Sequence, residues 1–504
     1  MLRPGRWVHH EGLGRPTALR TVSSNLPERL DRLPWSRWHW LVVLGLGITW
    51  VLDGLSVTII GAIGPRLEHG DTLGLSVSDV ASLGSIYIGG AVVGALGFGW
   101  LTDRIGRKRL FLVTLGVYIV GTVLSGLAWD FWSLAVFRLI TGMGIGGEYS
   151  AINSAIDELI PARVRGRVDL TINGSYWIGA AVGALASLLL LDTAIFGVDL
   201  GWRLAFLLGA LLAFVILFVR ARIPESPRWL LIHGREREAA DVVTGIEAQV
   251  IESTDLERLP EPRGEVLIQQ RDHTPLREVL QTMFVTYRRR TLLGFSMMVS
   301  QAFFYNAIFF TYGLVLTEFF DVSSSKVGLY LVPFAIGNFL GPLLLGRLFD
   351  SVGRRPMIAG TYALSAIALL VTGVLFKSGD LTATTQTLCW MVAFFFASAA
   401  ASSAYLTVSE IFPIETRGLA IAVFYALGTA VGGISGPLLF GHLIESGSAD
   451  NVFIGYAIGA GLMLVAAAIA AVIAVPAERR SLEAVATPLS AVDPDEPGSG
   501  EPRP

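Results

Sequence analysis

The chain has 504 residues, of which 53% are hydrophobic and only 16% charged, and its mean hydropathy is +0.60. Soluble globular chains run at about 45–50% apolar and about 25% charged, so a soluble multidomain enzyme, a disordered chain and a fibre are all excluded. A net charge of −3 supplies no basic field for nucleic acid, and the single cysteine, Cys389, leaves no intrachain disulfide.

In chain order, residues 1–38 are polar and arginine-rich, without the early apolar core of a cleavable leader, and are predicted to form an N-terminal tail. Apolar runs then recur, each near the roughly 20 residues that cross a bilayer. They predict helices at 39–63, 81–102, 110–128, 131–155, 168–191 and 203–222, and again at 291–318, 326–349, 356–376, 386–409, 419–443 and 451–475. The stretch 223–290 carries Arg, Glu, Pro and Gln and is predicted to be a linker with short helices. Residues 477–504, rich in Pro, Glu, Ser and Gly, are predicted to be a disordered tail. The expected fold class is an all-α membrane protein of twelve transmembrane helices, with six-helix bundles at 39–222 and 291–476.

Basic residues in short loops orient such a chain. Loops after even-numbered helices hold Arg104, Arg107, Lys108, Arg109, Arg163, Arg165, Arg167, Arg347, Arg354, Arg355 and Arg417, whereas loops after odd-numbered helices hold Arg66, Arg203, Lys326 and Lys377. Eleven against four predicts that the linker and both termini are cytoplasmic.

The chain also repeats itself. Gly99, Leu101, Asp103, Gly106, Arg107 and Lys108 match Gly346, Leu348, Asp350, Gly353, Arg354 and Arg355 at an offset of 247 residues. Glu158, Pro161, Arg165 and Gly166 match Glu410, Pro413, Arg417 and Gly418 at an offset of 252. Two six-helix halves of one design follow, a construction used by secondary transporters, which bind substrate between the halves near mid-membrane.

The Gly-x-Leu-x-Asp-x-x-Gly-Arg-Lys run between helices 2 and 3 resembles the signature of the major facilitator superfamily. Pro224-Glu-Ser-Pro-Arg-Trp-Leu230 after helix 6, and Arg138-x-x-x-Gly142-x-Gly144 leading to Glu158 and Arg165-Gly166, resemble its sugar-porter branch. Gly146-Gly147-Glu148-Tyr149 is similar to the metabolite–proton symporter branch. The resemblance spans the first helix to the twelfth. It implies a cytoplasmic latch, closed when the far side is open, formed by Gly99, Asp103, Gly106, Arg107, Lys108, Glu158, Arg165, Asp350, Gly353, Arg354, Arg355, Glu410 and Arg417.

Charges within membrane helices are functional candidates by default. Asp53 lies ~21 Å into helix 1 and Arg138 ~10 Å into the oppositely directed helix 4 at ~1.5 Å per residue, so they share nearly one depth and are able to pair. The resemblance implies that they form a proton-coupling pair. Glu148, ~15 Å from Arg138 along its helix, is either a second proton site or the partner of a loop arginine. The glycines of Gly142-Met-Gly144-Ile-Gly146-Gly147 sit on an apolar helix without a preceding strand, so they read as helix packing rather than a nucleotide loop.

Polar and aromatic side chains on apolar helices are the substrate candidates: Asn173 and Trp177 on helix 5, Gln301 and Asn306 on helix 7, Asn338 on helix 8 and Tyr405 on helix 10. Their spacing resembles that of sugar porters, but the first glutamine of the helix 7 pair is Ser300, and Asp53-Gly54 replaces the usual sequence, as in carriers of small organic or aromatic acids. With Phe303, Phe304, Phe309 and Phe310 nearby, the site is more apolar than a hexose requires. The expected function is secondary transport of a small organic acid or sugar-like metabolite across a bacterial inner membrane by a monomer, with protons as coupling ion and no cofactor. An uncoupled facilitator and a proton-driven efflux antiporter are the rivals. A transporter-like sensor needs a long signalling extension, and no catalytic set supports an enzyme.

Overall fold

The computed structural model describes residues 21–489 except 68–69, 222–223, 255, 257, 263, 270–274, 310 and 323. The predicted tail segments 1–20 and 490–504 and the side chains of Asp103 and Lys326 lie outside the described residues.

Twelve helical passages form two sets of six. The first comprises Arg37–Leu67, Val77–Ile105, Arg107–Gly126, Phe131–Leu159, the pair Arg165–Gly174 and Tyr176–Leu190, and Thr193–Ala221. The second comprises the pair Arg288–Phe309 and Tyr312–Phe320, then Ser324–Ser351, Arg354–Ser378, Ala383–Glu410, Ile414–Glu445 with a π turn at Thr429–Gly433, and Ala449–Ile473. They are called helices 1–12 below. Ten have the length and apolarity of a membrane span among the described residues. The other two are rich in charge: helix 4 carries Arg138, Glu148, Asp157 and Glu158, and helix 5 carries Arg165, Arg167 and Asp169 and breaks at Ser175. The Ser175 hydroxyl donates to the carbonyls of Ile172 (2.6 Å) and Gly47 (2.9 Å), which draws the break onto helix 1.

The helix ends follow from local chemistry. At the face away from the linker, helices 2, 4 and 10 begin with reciprocal caps, Ser76–Asp79, Asp130–Ser133 and Thr382–Thr385. At the linker face, helices 3, 5 and 9 begin without a cap of their own, and the carboxylates that serve them come from far along the chain. The predicted glycine packing on helix 4 is present. A Cβ on Gly142 would meet the Tyr87 carbonyl at 2.1 Å, and one on Gly146 the Ala91 carbonyl at 1.9 Å. Gly54 answers to helix 5 in the same way, 1.9 Å from the Tyr176 carbonyl, so the Asp-Gly step is set by packing.

The linker carries short helices, Pro227–Ile232 and Glu236–Thr254, and beside them Thr21–Ser24 pairs antiparallel with Val266–Gln269. One expectation needs correction. Residues 477–489 are not disordered. They fold along the linker face with a short helix at Leu482–Val485, and Leu482 and Val485 are buried.

Candidate functional site

Between the halves lies a cavity of about 1020 Å³. Its lining runs from Trp50, Tyr149 and Tyr425 at mid-helix to Arg66, Asp192 and Val327 at helix ends far from the linker. It reaches the far face and stops short of the linker face.

Asp53 lines this cavity and is buried. Tyr87 donates to its Oδ1 (3.0 Å) and Tyr149 to its Oδ2. Arg138 also lines it, with its guanidinium carbon 4.2 Å from the Tyr87 ring centroid. The expected Asp53–Arg138 ion pair is absent among the described residues. Tyr87 stands between the two, bonding one and stacking on the other. Two hydroxyl donors satisfy the carboxylate, whereas Arg138 makes no hydrogen bond or ion pair with a described side chain or carbonyl, and its Nε lacks a partner. Glu148 is buried and does not line the cavity.

Asn173, Trp177, Gln301, Asn306 and Tyr405 line the cavity. Asn338 does not. It is wholly buried behind Tyr305, whose hydroxyl donates to its Oδ1 at 2.7 Å. The amide donors are turned into the protein: Asn173 to the Asp169 carbonyl (2.9 Å), Asn306 to the Ala302 carbonyl (2.7 Å) and Asn338 to the Phe334 carbonyl (2.9 Å). What the cavity offers is aromatic. Trp50 and Tyr149 of the first half meet Tyr405 and Tyr425 of the second, with ring centroids 4.8 Å (Trp50–Tyr149), 5.6 Å (Trp50–Tyr405) and 4.5 Å (Tyr149–Tyr425) apart. Trp177 likewise meets Tyr305 (6.0 Å) and Phe309 (5.4 Å). Of these rings the sequence marks Trp177, Tyr405 and Phe309 for the site and Tyr149 only as part of a motif, and it gives no signal for Trp50, Tyr305 and Tyr425, since an isolated aromatic on an apolar helix reads as core.

Below the rings the halves are sealed by paired charges. Arg107 binds Glu158 at 2.9 Å, and Arg354 binds both oxygens of Glu410 at 2.9 Å and Asp350 at 3.0 Å. Two contacts cross between halves with exchanged roles, Arg165–Glu410 at 3.8 Å and Arg417–Glu158 at 3.5 Å. Asp350 also crosses, accepting from the backbone of Gly166 (3.0 Å) and Arg167 (2.7 Å) and so capping helix 5. Lys108 and Arg355 stand outside this network. Lys108 offers only its backbone N–H to Glu225, and exposed Arg355 donates to the Ala471 carbonyl. Gly106 and Gly353 have φ of 93° and 117°, a region L side chains avoid, and each turn delivers the following arginine inward.

Gly99 explains the tightness of the seal. A Cβ there would lie 2.2 Å from the Cβ of Ala422 on helix 11. Gly99→Ala is therefore expected to wedge the halves apart at the linker face, costing about 1–3 kcal/mol and slowing transport. Adding Ala422→Gly removes the overlapping atom, and the rate of the double variant against the single one checks this.

The repeat extends further than the sequence motifs. Glu225 accepts from the backbone of Arg107 at 2.8 Å, and Glu478 from that of Arg354 at 3.2 Å, so each half closes helix 3 or helix 9 with a glutamate following its own sixth helix. Beyond Glu478 the tail crosses to the first half: Glu483 binds Arg228 at 2.8 Å, and the Arg480 carbonyl accepts from Arg165 at 3.2 Å. Burial opposes the charged form of Glu483, but Arg228 beside it prevails and holds its carboxyl below the ordinary 4.5. The contact therefore stabilises the fold above about pH 4.5 and is lost as pH falls through the lowered value. Thermal unfolding checks this. The melting temperature of Glu483→Gln is expected to lie below that of the parent at pH 7, with the gap closing below pH 4.5.

Two six-helix bundles around a cavity that reaches one face, with crossed ion pairs at the other, are the architecture of a membrane transporter. The family model described as "Sugar (and other) transporter" matches residues 63–488, and the chain belongs to that family, within the major facilitator superfamily. It is a multi-pass membrane transporter rather than an enzyme. The chain is 26% identical over 465 residues to a niacin transporter of Acinetobacter baylyi, covering 92% of this chain and 99% of that one. It is 25% identical over 432 residues to a 4-hydroxybenzoate transporter of the same organism, covering 82% and 87%. Its fold is that of the proton:xylose symporter XylE, with a TM-score of 0.71 at 19% identity over 88% of this chain and 98% of that one.

Proposed function

We propose that the protein imports a small aromatic monocarboxylate together with a proton across a bacterial inner membrane. The observation that carries this reading is Arg138, a buried guanidinium that makes no direct ion pair or hydrogen bond among the described residues and faces a cavity walled by aromatic rings. A planar guanidinium matches one carboxylate with two parallel hydrogen bonds. A flat ring attached to that carboxylate fits among Trp50, Tyr149, Tyr405 and Tyr425, which come from both halves. Offset and edge-to-face ring contacts add about 0.5–1.5 kcal/mol each. A sugar finds the Asn173 amide turned to Asp169 and Asn153 and one donor of Asn306 turned to Ala302, which leaves Gln301 as the cavity amide held only by a sulfur contact, and each unpaired hydroxyl costs about 1–3 kcal/mol. A trianion exceeds the charge of Arg138, and the other described guanidinium on the lining, Arg66, lies at a helix end and donates to the Leu191 carbonyl. The two Acinetobacter relatives are both named for a ring bearing one carboxylate.

Coupling follows from charge. In the empty site the field of the Arg138 guanidinium offsets the charge of Asp53, with the Tyr87 ring between them. A bound carboxylate cancels that field, and a proton on Asp53 restores the balance, so substrate and proton each promote binding of the other. The neutralised site then closes over the ring from the far side while the linker-side seal opens. The arginine excess puts that seal, the linker and both termini in the cytoplasm. One chain encloses the whole path, so a monomer suffices.

Binding by purified protein tests the substrate class, using hydroxybenzoates and pyridine carboxylates, each paired with its amide and with a saturated-ring acid. At least one aromatic acid is expected to bind ten or more times tighter than both counterparts. Equal affinity for acid and amide, or tighter binding of xylose than of any acid, contradicts the reading.

A further inference from the structure

The seal holds two carboxyls that the ion pairs leave over. Asp157 on helix 4 and Asp169 on helix 5 are both fully buried. Among the described residues Asp157 has only the Ser409 hydroxyl beside it, which is committed to the Leu406 carbonyl at 2.9 Å, and only one oxygen of Asp169 is bonded, accepting from Asn173 Nδ2 at 3.2 Å. The nearest cation to Asp157 is Arg165, with its Nε at 3.9 Å, and that arginine is shared with Asp31 (3.4 Å) and Glu410 (3.8 Å).

The groups packed around the pair offer no relief. Helix 4 contributes Glu158, helix 8 Asp350 and helix 10 Glu410 with Ser409, while Arg354 of helix 9 and Arg417 of helix 11 are the facing cations from the other half. Arg354 is occupied by Glu410 and Asp350, Arg107 by Glu158, and Arg228 by Asp31 and Glu483. Among the described residues of this layer the carboxyls Asp31, Asp157, Glu158, Asp169, Asp350, Glu410 and Glu483 outnumber the guanidiniums Arg107, Arg165, Arg228, Arg354 and Arg417. A proton on one of the carboxyls lessens that excess. An ionised carboxylate without hydrogen bonds is far costlier to bury than its protonated form.

We propose that Asp157 and Asp169 form a proton-binding site of the closed seal, loaded from the linker side as the halves close and emptied there as they part. Opening admits water, the pair ionises, and the surplus negative charge holds the seal apart. Acid on the linker side therefore favours the sealed, far-side-open state, and import slows itself as that compartment acidifies. This rests on the alternating-access reading, but not on substrate identity or on Asp53.

Spin labels at the exposed positions Arg109 and Val352, on opposite halves at the linker face, report the seal without any substrate. The background carries Cys389→Ser and Asp53→Asn, so that neither the native thiol nor the central carboxylate contributes. The ratio of open to sealed distances is expected to rise with pH between 5.5 and 8, by up to tenfold per unit, as one-proton linkage requires. Asp157→Asn and Asp169→Asn, each neutral at every pH, are each expected to flatten this profile toward the sealed state. A pH-independent ratio in the background protein, or an unchanged slope in both variants, overturns the proposal. The first outcome needs neither variant to fold. A failure here with aromatic acids still bound leaves the proposed function standing.

Discussion

Replacing Arg138 with leucine is expected to end selection for the carboxylate. Truncating one member of a buried charge pair costs about 2–5 kcal/mol, or roughly 30- to 3000-fold in affinity at 1.4 kcal/mol per tenfold. The amide of the same ring never used that pair, so its weak binding is expected to change little, and the ratio of acid to amide affinity falls to near one. Arg138→Lys keeps the charge without the planar fork and is expected to fall between the two. Titration calorimetry of acid and amide against the three proteins measures this directly. An acid preference that survives Arg138→Leu assigns the carboxylate to another residue. The guanidinium on the Tyr87 ring would then serve only to fix helix 4 against helix 2.

Asp53→Asn is expected to separate transport from its driving force. Asparagine is close in shape to the protonated aspartic acid and still accepts a hydrogen bond from Tyr87 or Tyr149, but it takes up no proton. Accumulation against a gradient should vanish, a loss of at least tenfold in steady-state uptake, while exchange of labelled for unlabelled substrate continues. Intact uphill uptake in this variant removes Asp53 from the coupling role. Loss of exchange as well makes it a binding or structural residue.

Much of the architecture is legible in the sequence because the bilayer imposes it. Apolar runs of spanning length and the duplicated Gly-x-Leu-x-Asp-x-x-Gly-Arg segment lead to two six-helix halves, and the same segments mark the arginines and glutamates of the seal. Residues 477–489 were misjudged because composition describes a segment alone. Glu478 and Glu483 are held by Arg354 and Arg228, 124 and 255 positions earlier. The cavity was legible in part. Spacing leads to Asn173 and Gln301, but no one-dimensional pattern shows that the Asn338 amide is spent on Tyr305 and Phe334, or that Trp50, Tyr149, Tyr405 and Tyr425 converge. Similar depth placed Asp53 near Arg138 without revealing that Tyr87 comes between them. Asp157 and Asp169 are not legible in the sequence for a related reason. They sit among the arginines of helix ends, where charge ordinarily meets water.

The central claim, that this chain moves an aromatic acid with a proton, is tested most directly in liposomes containing the protein and a pH-sensitive dye. Aromatic acids, their amides, xylose and aliphatic acids are added outside at neutral pH, one at a time. Protein-free and Asp53→Asn liposomes measure the protons that weak acids carry through lipid unaided. The account predicts lumenal acidification by one or more aromatic acids beyond both controls, and none by the amides or xylose. Acidification driven by xylose, or uptake of an aromatic acid with no proton movement beyond the controls, contradicts it.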